Sequence, residues 1–223
     1  MDGVEGRAFP VGVFDQEQSR RNFLKTAGWA TAALAAAGFG GVTLAGRDAR
    51  AQGAAPYTTY QGLGDAAILS LAYQLELLEG NFYAAGVDSG LFTDDFSVSQ
   101  LAAIRDHEFA HADAIAGVLN TLGAAIPEPA LVFPPDATAD AATFLGYAAT
   151  LEPVGIGAYQ GAAPALVDKN ILASAISIHN AECQHWCAIK IMQGIVPPNN
   201  VALEEALPLA AVLEAAAPFG ITA

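Results

Sequence analysis

The chain has 223 residues, of which 53% are hydrophobic and 14% are charged, and its net charge is −14. A chain of this length and apolar content can bury one good-sized core, which excludes an intrinsically disordered protein. The acidic charge argues against nucleic acid as a partner, because a phosphate backbone would repel it.

The first 51 residues resemble a twin-arginine (Tat) export signal. Arg20 and Arg21 lie in the sequence SRRNFLK, an uncharged Ala- and Gly-rich stretch runs from Thr26 to Gly46, and residues 49–51 form a small-x-small cleavage site. We therefore expect export through the Tat translocon to the periplasm or another extracytoplasmic compartment. The alternative is a retained membrane anchor, since the apolar stretch is about long enough to span a bilayer.

Four long segments with helical periodicity follow a predicted linker at residues 52–64. We predict helices near residues 65–87, 97–122, 139–161 and 167–194, with Ser97 as the N-cap of the second helix, and assign residues 65–195 to one bundle domain. A shorter helix near residues 202–217 lies in a C-terminal extension, residues 196–223. The apolar runs are too long for strands and do not alternate, so the fold class is all-α.

The connections between these helices predict their arrangement. Short loops join the first helix to the second and the third to the fourth, which makes each pair antiparallel. The connector at residues 123–138 contains four prolines and could extend over about 50 Å, longer than a helix of 24 residues at roughly 36 Å. We therefore expect one long crossover that leaves the second and third helices parallel, which is the topology of a ferritin-like four-helix bundle.

Two of the predicted helices carry a Glu-x-x-His pair in the middle of an apolar stripe. The stripe of the second helix is Leu101, Ile104, Glu108, His111, Ile115, Val118 and Leu122, and that of the fourth is Ile171, Ala175, Ile178, Glu182, His185, Ile189 and Met192. Buried carboxylates are costly unless they are paired, hydrogen-bonded or bound to metal. Two such pairs at matching positions favour a metal site over a buried polar network without metal, which is the alternative.

The first and third helices share a second pattern. Each has a glutamate in its stripe and a tyrosine seven residues later: Glu76 with Tyr83, and Glu152 with Tyr159. Each of these glutamates precedes a Glu-x-x-His pair by a similar distance. The chain therefore contains two similar helical hairpins, each supplying one single glutamate and one Glu-x-x-His pair.

This pattern resembles that of the ferritin-like di-iron and di-manganese carboxylate proteins, in which two helices supply one Glu each and two supply Glu-x-x-His. The sequence LELLEGNFY at residues 75–83 is similar to the opening helix of the bacterial ferritin-like family that includes plant desiccation-related proteins. The resemblance implies that Glu108 and Glu182 bridge two metal ions and that Glu76 and Glu152 are terminal ligands. It also implies that His111 and His185 each bind one ion.

Oxygen-rich ligands with one nitrogen per ion suit iron or manganese better than structural zinc. We predict a cofactor of two iron or two manganese ions, with iron preferred, and O2 or peroxide as the reaction partner. The sequence leaves homo-oligomer formation open.

Four further residues are predicted to support the ligands. Tyr83 and Tyr159 are expected to hydrogen-bond ligands across the core or to act as ordinary core residues. Glu79 is expected beside the ligands or on the surface, with an extra ligand or proton relay as alternatives. His179 is expected to line an access path or to be a half-exposed histidine near the bundle end. His107 points away from the stripe and is expected on the surface.

Pro153 follows Glu152 directly and removes one helical hydrogen bond, so it is expected to kink the third helix or to create a π-bulge there. Such a distortion would either aim the carboxylate of Glu152 at the metals or displace it. Glu152 is therefore the predicted ligand that depends most on local geometry.

The sequence supports three hypotheses about function. The first is a di-metal oxidoreductase with ferroxidase, oxidase or catalase-like activity. The second is a metal-binding or envelope stress protein without turnover. The third is a structural or interaction module held at the membrane by an uncleaved signal, while a ferritin storage cage is less favoured because nothing identifies shell-forming surfaces.

Overall fold

The computed structural model describes residues 56–221, which fold into helices and connecting loops without a strand. The helices are α1 (Asp65–Asp88), α2 (Asp95–Thr121), α3 (Ala141–Ala162), α4 (Lys169–Met192) and α5 (Leu209–Ala216), with 3-10 turns at Pro56–Thr59, Ala163–Ala165 and Ala217–Phe219. The predicted all-α class is confirmed. The predicted export signal, residues 1–51, lies outside the described residues. Within the described part of the chain, no helix combines the length and apolar character needed to cross a membrane.

Aspartates begin three of the four long helices. Asp94, Asp140 and Asp168 each precede a helix in extended conformation, and each side chain accepts a hydrogen bond from a backbone N–H of the first turn. A cap of this kind contributes about 1 kcal/mol. The prediction of Ser97 as the N-cap of α2 is wrong, because the backbone N–H of Ser97 is the donor to Asp94.

The four long helices form a bundle with one long crossover, as predicted. The six-residue connection between α1 and α2 makes these helices antiparallel. Asp65 at the start of α1 accepts hydrogen bonds from the backbone N–H groups of Val167 and Asp168, which follow α3, so α1 and α3 are also antiparallel. Helices α2 and α3 therefore run parallel, and the connector between them returns along the bundle.

The core has two apolar layers with a polar layer between them. One layer contains Leu78 and Phe82 of α1 with Phe144 of α3, whose ring stacks on Phe82 with centroids 4.3 Å apart. The other contains Ile68 of α1 and Leu119 of α2. The middle turns of all four helices lie between these layers, and they carry the Glu and His residues singled out above.

The buried stripe of α2 departs from the predicted one at its C-terminal end. Leu119 is fully buried, whereas Val118 is only partly buried and Leu122 is 48% exposed. The prediction assumed a spacing that alternates between three and four residues. A straight α-helix has 3.6 residues per turn, so its buried face drifts by about 20° per heptad from that spacing.

The C-terminal helix begins later than predicted, at Leu209 instead of near residue 202. Pro208 precedes it in extended conformation, and the residue before a proline is disfavoured in a helix. The preceding segment packs on α3, where the backbone N–H of Leu207 donates to the carbonyl of Gly157 at 2.9 Å. A methyl group at Gly161 would lie 2.2 Å from the Leu207 carbonyl oxygen, so glycine permits this close approach.

Candidate metal centre

Each of the four long helices brings one glutamate to the polar layer of the core. Glu76, Glu108, Glu152 and Glu182 are at most 1% exposed, and His185 is 3% exposed. The side chain of His111 is 14% exposed. The structure thus brings together all six residues predicted as metal ligands.

The six residues form two groups in which the potential ligand atoms lie within 4.8 Å of one another. The first group is Glu76, Glu108, His111 and Glu182, and the second is Glu108, Glu152 and His185. Glu108 belongs to both groups. Two ions held in these groups would therefore be neighbours with a shared carboxylate.

Glu108 and Glu182 each present one oxygen to each histidine. In Glu108, Oε2 lies 3.3 Å from Nδ1 of His111 and Oε1 lies 2.8 Å from Nδ1 of His185. In Glu182, Oε1 lies 3.3 Å from Nδ1 of His111 and Oε2 lies 3.8 Å from Nδ1 of His185. Carboxylates that bridge two ions have this arrangement, with one oxygen directed to each side.

Several of these buried atoms lack a hydrogen-bond partner. They are Oε1 of Glu108, Oε2 of Glu152, both carboxylate oxygens of Glu182 and Nδ1 of His185. The contact between Nδ1 of His185 and Oε1 of Glu108 is short but does not have hydrogen-bond geometry. A buried polar atom without a partner costs about 1–3 kcal/mol. A buried polar network without cations would leave these costs in place, so the donor set fits metal ions.

Nearby basic side chains do not compensate the carboxylates. Among residues 56–221, no Lys or Arg forms a salt bridge with a glutamate of the polar layer; Arg105 pairs with Asp106, and Lys190 donates to Asn200. The positive charge available within the layer is that of the two histidines.

Protons take the place of cations in the metal-free centre. Burial opposes the charged form of both histidines, but contacts with Glu108 and Glu182 raise the pKa of His111 to about 12 and that of His185 to about 10. Burial also opposes ionisation of Glu108, yet its contacts with the histidines lower its pKa to about 2. Burial and the charge of Glu182 raise the pKa values of Glu76 and Glu152 well above the ordinary value.

Each tyrosine of the internal repeat donates a hydrogen bond to a glutamate of the other hairpin. The hydroxyl of Tyr83 donates a hydrogen bond to Oε1 of Glu152, and the hydroxyl of Tyr159 donates one to Oε1 of Glu76. Burial and these carboxylates raise the pKa values of both tyrosines well above the ordinary value, so the hydroxyls remain donors. Each hydrogen bond fixes one oxygen of a predicted ligand, and in Glu76 the other oxygen, Oε2, lies 3.0 Å from Nδ1 of His111.

Helix α3 continues through Pro153, without the π-bulge that the sequence suggested as one outcome. Glu152 is fully buried and belongs to the second donor group. The proline therefore does not displace this carboxylate from the polar layer.

Of the remaining candidates, Glu79 lies inside the core and His179 does not join the donor groups. Glu79 is 3% exposed, so the surface alternative is wrong for it. His179 is half-buried one turn before Glu182, and its buried Nε2 has no hydrogen-bond partner.

His107 is exposed, as expected, but the sequence did not indicate its contact with the centre. Its Nδ1 lies 3.0 Å from Nε2 of His185, and the two rings stack with centroids 5.3 Å apart. A pocket of about 160 Å³ adjoins both histidines between α2 and α4; it is lined by Gln100, Ala103, Ile104, His107, Ala181, Gln184, His185 and Ala188. The pocket gives His185 a neighbouring space large enough for several water molecules.

The comparison with protein families agrees with this architecture. Residues 64–194, more than half of the chain, match the family model of the ferritin-like domain. No curated protein sequence matches the chain significantly. The matched residues include all four long helices and every residue of the two donor groups. The chain therefore belongs to the ferritin-like domain family.

Proposed function

We propose that this chain is an exported protein that binds two iron or manganese ions in its polar layer and uses them to react with O2 or peroxide or to oxidise metal ions. The observation that carries the proposal is the pair of donor groups joined through Glu108. Support also comes from the buried carboxylate oxygens of Glu182, neither of which has a hydrogen-bond partner.

The donor types favour iron or manganese. Each donor group offers one imidazole nitrogen and otherwise carboxylate oxygens. Structural zinc sites prefer closed tetrahedral sets of Cys and His, whereas oxygen-rich sets with a histidine suit iron and manganese. Iron is our preferred cofactor, and manganese is the alternative.

Two adjacent redox-active ions supply two electrons to O2 or peroxide, which one ion does less readily. The protein's own residues prepare the site for this chemistry. The two apolar layers exclude bulk water, Tyr83 and Tyr159 hold the terminal carboxylates, and the pocket beside His107 and His185 offers a route for a small polar reactant.

Export through the Tat route is part of the proposal. It rests on the sequence of residues 1–51 alone. Tat export carries folded proteins, so the ions would be bound before translocation. Recovery of the protein from the extracytoplasmic fraction, with the mass expected after cleavage near residue 51, would support this step. Retention of residues 1–51 in the membrane fraction would favour the anchored alternative.

Metal loading followed by oxidation tests the central claim. The metal-free protein is titrated anaerobically with Fe²⁺ and then mixed with O2 or peroxide in a stopped-flow spectrometer. We expect two ions per chain and metal-dependent consumption of the oxidant, with Glu128→Gln, at an exposed position, as a control that behaves like the wild type. Two bound ions without turnover would leave a metal-binding protein that is not an enzyme, and no bound metal would refute the proposal.

A further inference from the structure

Helices α1 and α3 occupy equivalent places in the internal repeat but differ one turn after their glutamates. Glu76 and Glu152 correspond, as do Tyr83 and Tyr159. Three residues after each glutamate, α1 has Glu79 whereas α3 has Gly155. The repeat is therefore broken at one position inside the polar layer, where one hairpin carries an additional carboxylate and the other carries no side chain.

The two unequal positions lie against each other in the core. A methyl group added at Gly155 would lie 3.3 and 3.4 Å from the two carboxylate oxygens of Glu79, and 3.5 Å from Oε2 of Glu182. The Glu79 carboxylate and Oε2 of Glu182 are thus at most about 7 Å apart, because both lie close to that one point. Glycine is less favourable than alanine inside a helix. At Gly155 the missing side chain leaves the place that the Glu79 carboxylate occupies.

Glu79 is surrounded by like charge. Burial raises its pKa well above the ordinary value, and the charges of Glu182, Glu108 and Glu152 add to this rise. In the described part of the chain no Lys, Arg or His forms a salt bridge with Glu79. An ionised carboxylate at such a place is costly unless a cation accompanies it.

The Glu79 carboxylate lies on the side of the second donor group, Glu108, Glu152 and His185. The Glu182 oxygen nearest to the same point beside Gly155 is Oε2, the oxygen directed to His185. Glu79 lies beside α3, the helix that supplies Glu152. It lies outside both groups in the structure, but the glutamate side chain has three rotatable bonds, and Gly155 has no side chain to restrict its carboxylate.

We infer that Glu79 is a seventh metal ligand, which binds the ion held by Glu108, Glu152 and His185 and makes the two ions unequal in coordination. The inference rests on the proposed function, because it assigns a residue to the same di-metal centre. Five carboxylates then surround two ions.

Binding of Mn²⁺ to the full chain tests the inference without relying on activity. Isothermal titration calorimetry and electron paramagnetic resonance are applied to the wild type, Glu79→Gln and the exposed control Glu128→Gln. We expect two ions in the wild type and the control. In Glu79→Gln the first ion should bind unchanged, and the second should bind about 10- to 100-fold more weakly.

Two further measurements separate ligation from an indirect effect. Gly155→Ala keeps every carboxylate but places a methyl group against Glu79, so it should weaken the same ion even if Glu79→Gln folds poorly. A crystal structure with Mn²⁺, using its anomalous signal, should show a Glu79 oxygen bonded to the ion beside His185. A Glu79 carboxylate away from both ions, or a Glu79→Gln variant that binds both ions as the wild type does, would overturn the inference. A wild type that binds no Mn²⁺ would instead refute the proposed function itself.

Discussion

Replacement of the glutamate that the two donor groups share should abolish binding of both ions, whereas replacement of an unshared glutamate should affect only one. Glu108 belongs to both groups, and Glu152 belongs to the second alone. Both side chains are fully buried. Glutamine has nearly the same volume as glutamate, so Glu108→Gln and Glu152→Gln remove charge with little change in packing.

The expected magnitude follows from the number of ions that remain. An ion at a free concentration 100 times its Kd stabilises the folded chain by about 2.7 kcal/mol. Two independent ions therefore contribute about 5 kcal/mol, which corresponds to a rise in Tm of roughly 10–20 °C for a domain of this size. We expect Glu152→Gln to keep about half of this rise and Glu108→Gln to keep almost none.

The two variants should also differ without metal. Burial opposes ionisation of Glu108, but His111 and His185 lower its pKa to about 2, so Glu108→Gln removes two ion-pair contacts. Burial and the charges of Glu182 and Glu108 raise the pKa of Glu152 well above the ordinary value, so its surroundings disfavour the charged form and Glu152→Gln removes little stabilising interaction. After treatment with a chelator, Glu108→Gln should melt below the wild type and Glu152→Gln should melt at or above it.

Scanning calorimetry of the full chain, with and without MnCl2, measures both effects, and the exposed Glu128→Gln variant is the control. If Glu108→Gln and Glu152→Gln lose equal parts of the metal-induced rise in Tm, the shared position of Glu108 is refuted. A metal-induced rise in Tm that is unchanged in both variants would show that Mn²⁺ binds elsewhere.

Two other predictions concern the metal-free protein. Its stability should fall as pH rises from about 6.5, the unfolded-state pKa of histidine, toward the folded-state pKa values of about 10 for His185 and about 12 for His111, because over this range the unfolded histidines release protons that the folded protein keeps. Urea titrations measure this, and rising stability would contradict it. Gly161→Ala should destabilise the fold by about 1–3 kcal/mol, because the added methyl group would lie 2.2 Å from the Leu207 carbonyl oxygen. Gly146→Ala on the same helix faces open space and should stabilise the fold by about 1 kcal/mol. Equal unfolding free energies for these two variants would contradict the packing of the C-terminal segment on α3.

The six donor residues could be predicted from the sequence because they are polar residues within apolar stripes. Each of Glu108, His111, Glu182 and His185 occupies a position where helical periodicity calls for a core residue. The periodicity identifies the residues that face the axis of a bundle, and these are the residues that must find partners there.

Periodicity does not identify contacts in the crevice between two neighbouring helices. His107 precedes Glu108 by one residue and so points about 100° away from it, toward the edge that α2 shares with α4. Its contact with Nε2 of His185 depends on how these helices are aligned. For the same reason neither helix alone indicates that Glu79 lies against Gly155, since that contact depends on the alignment of α1 with α3.

The contacts between side chains of the two hairpins would couple metal binding at this centre to the docking of the hairpins. Tyr83 of the first hairpin holds Glu152 of the second, and Tyr159 of the second holds Glu76 of the first. Glu108 contacts a histidine of each hairpin, so neither half contains a complete donor group. Ions bound between the hairpins would therefore add their binding energy to the docking of the hairpins. Without ions, the same contacts must be held by protons on groups whose pKa values burial and neighbouring charges have shifted. The apolar layers above and below then have to stabilise a polar layer that is incomplete by itself.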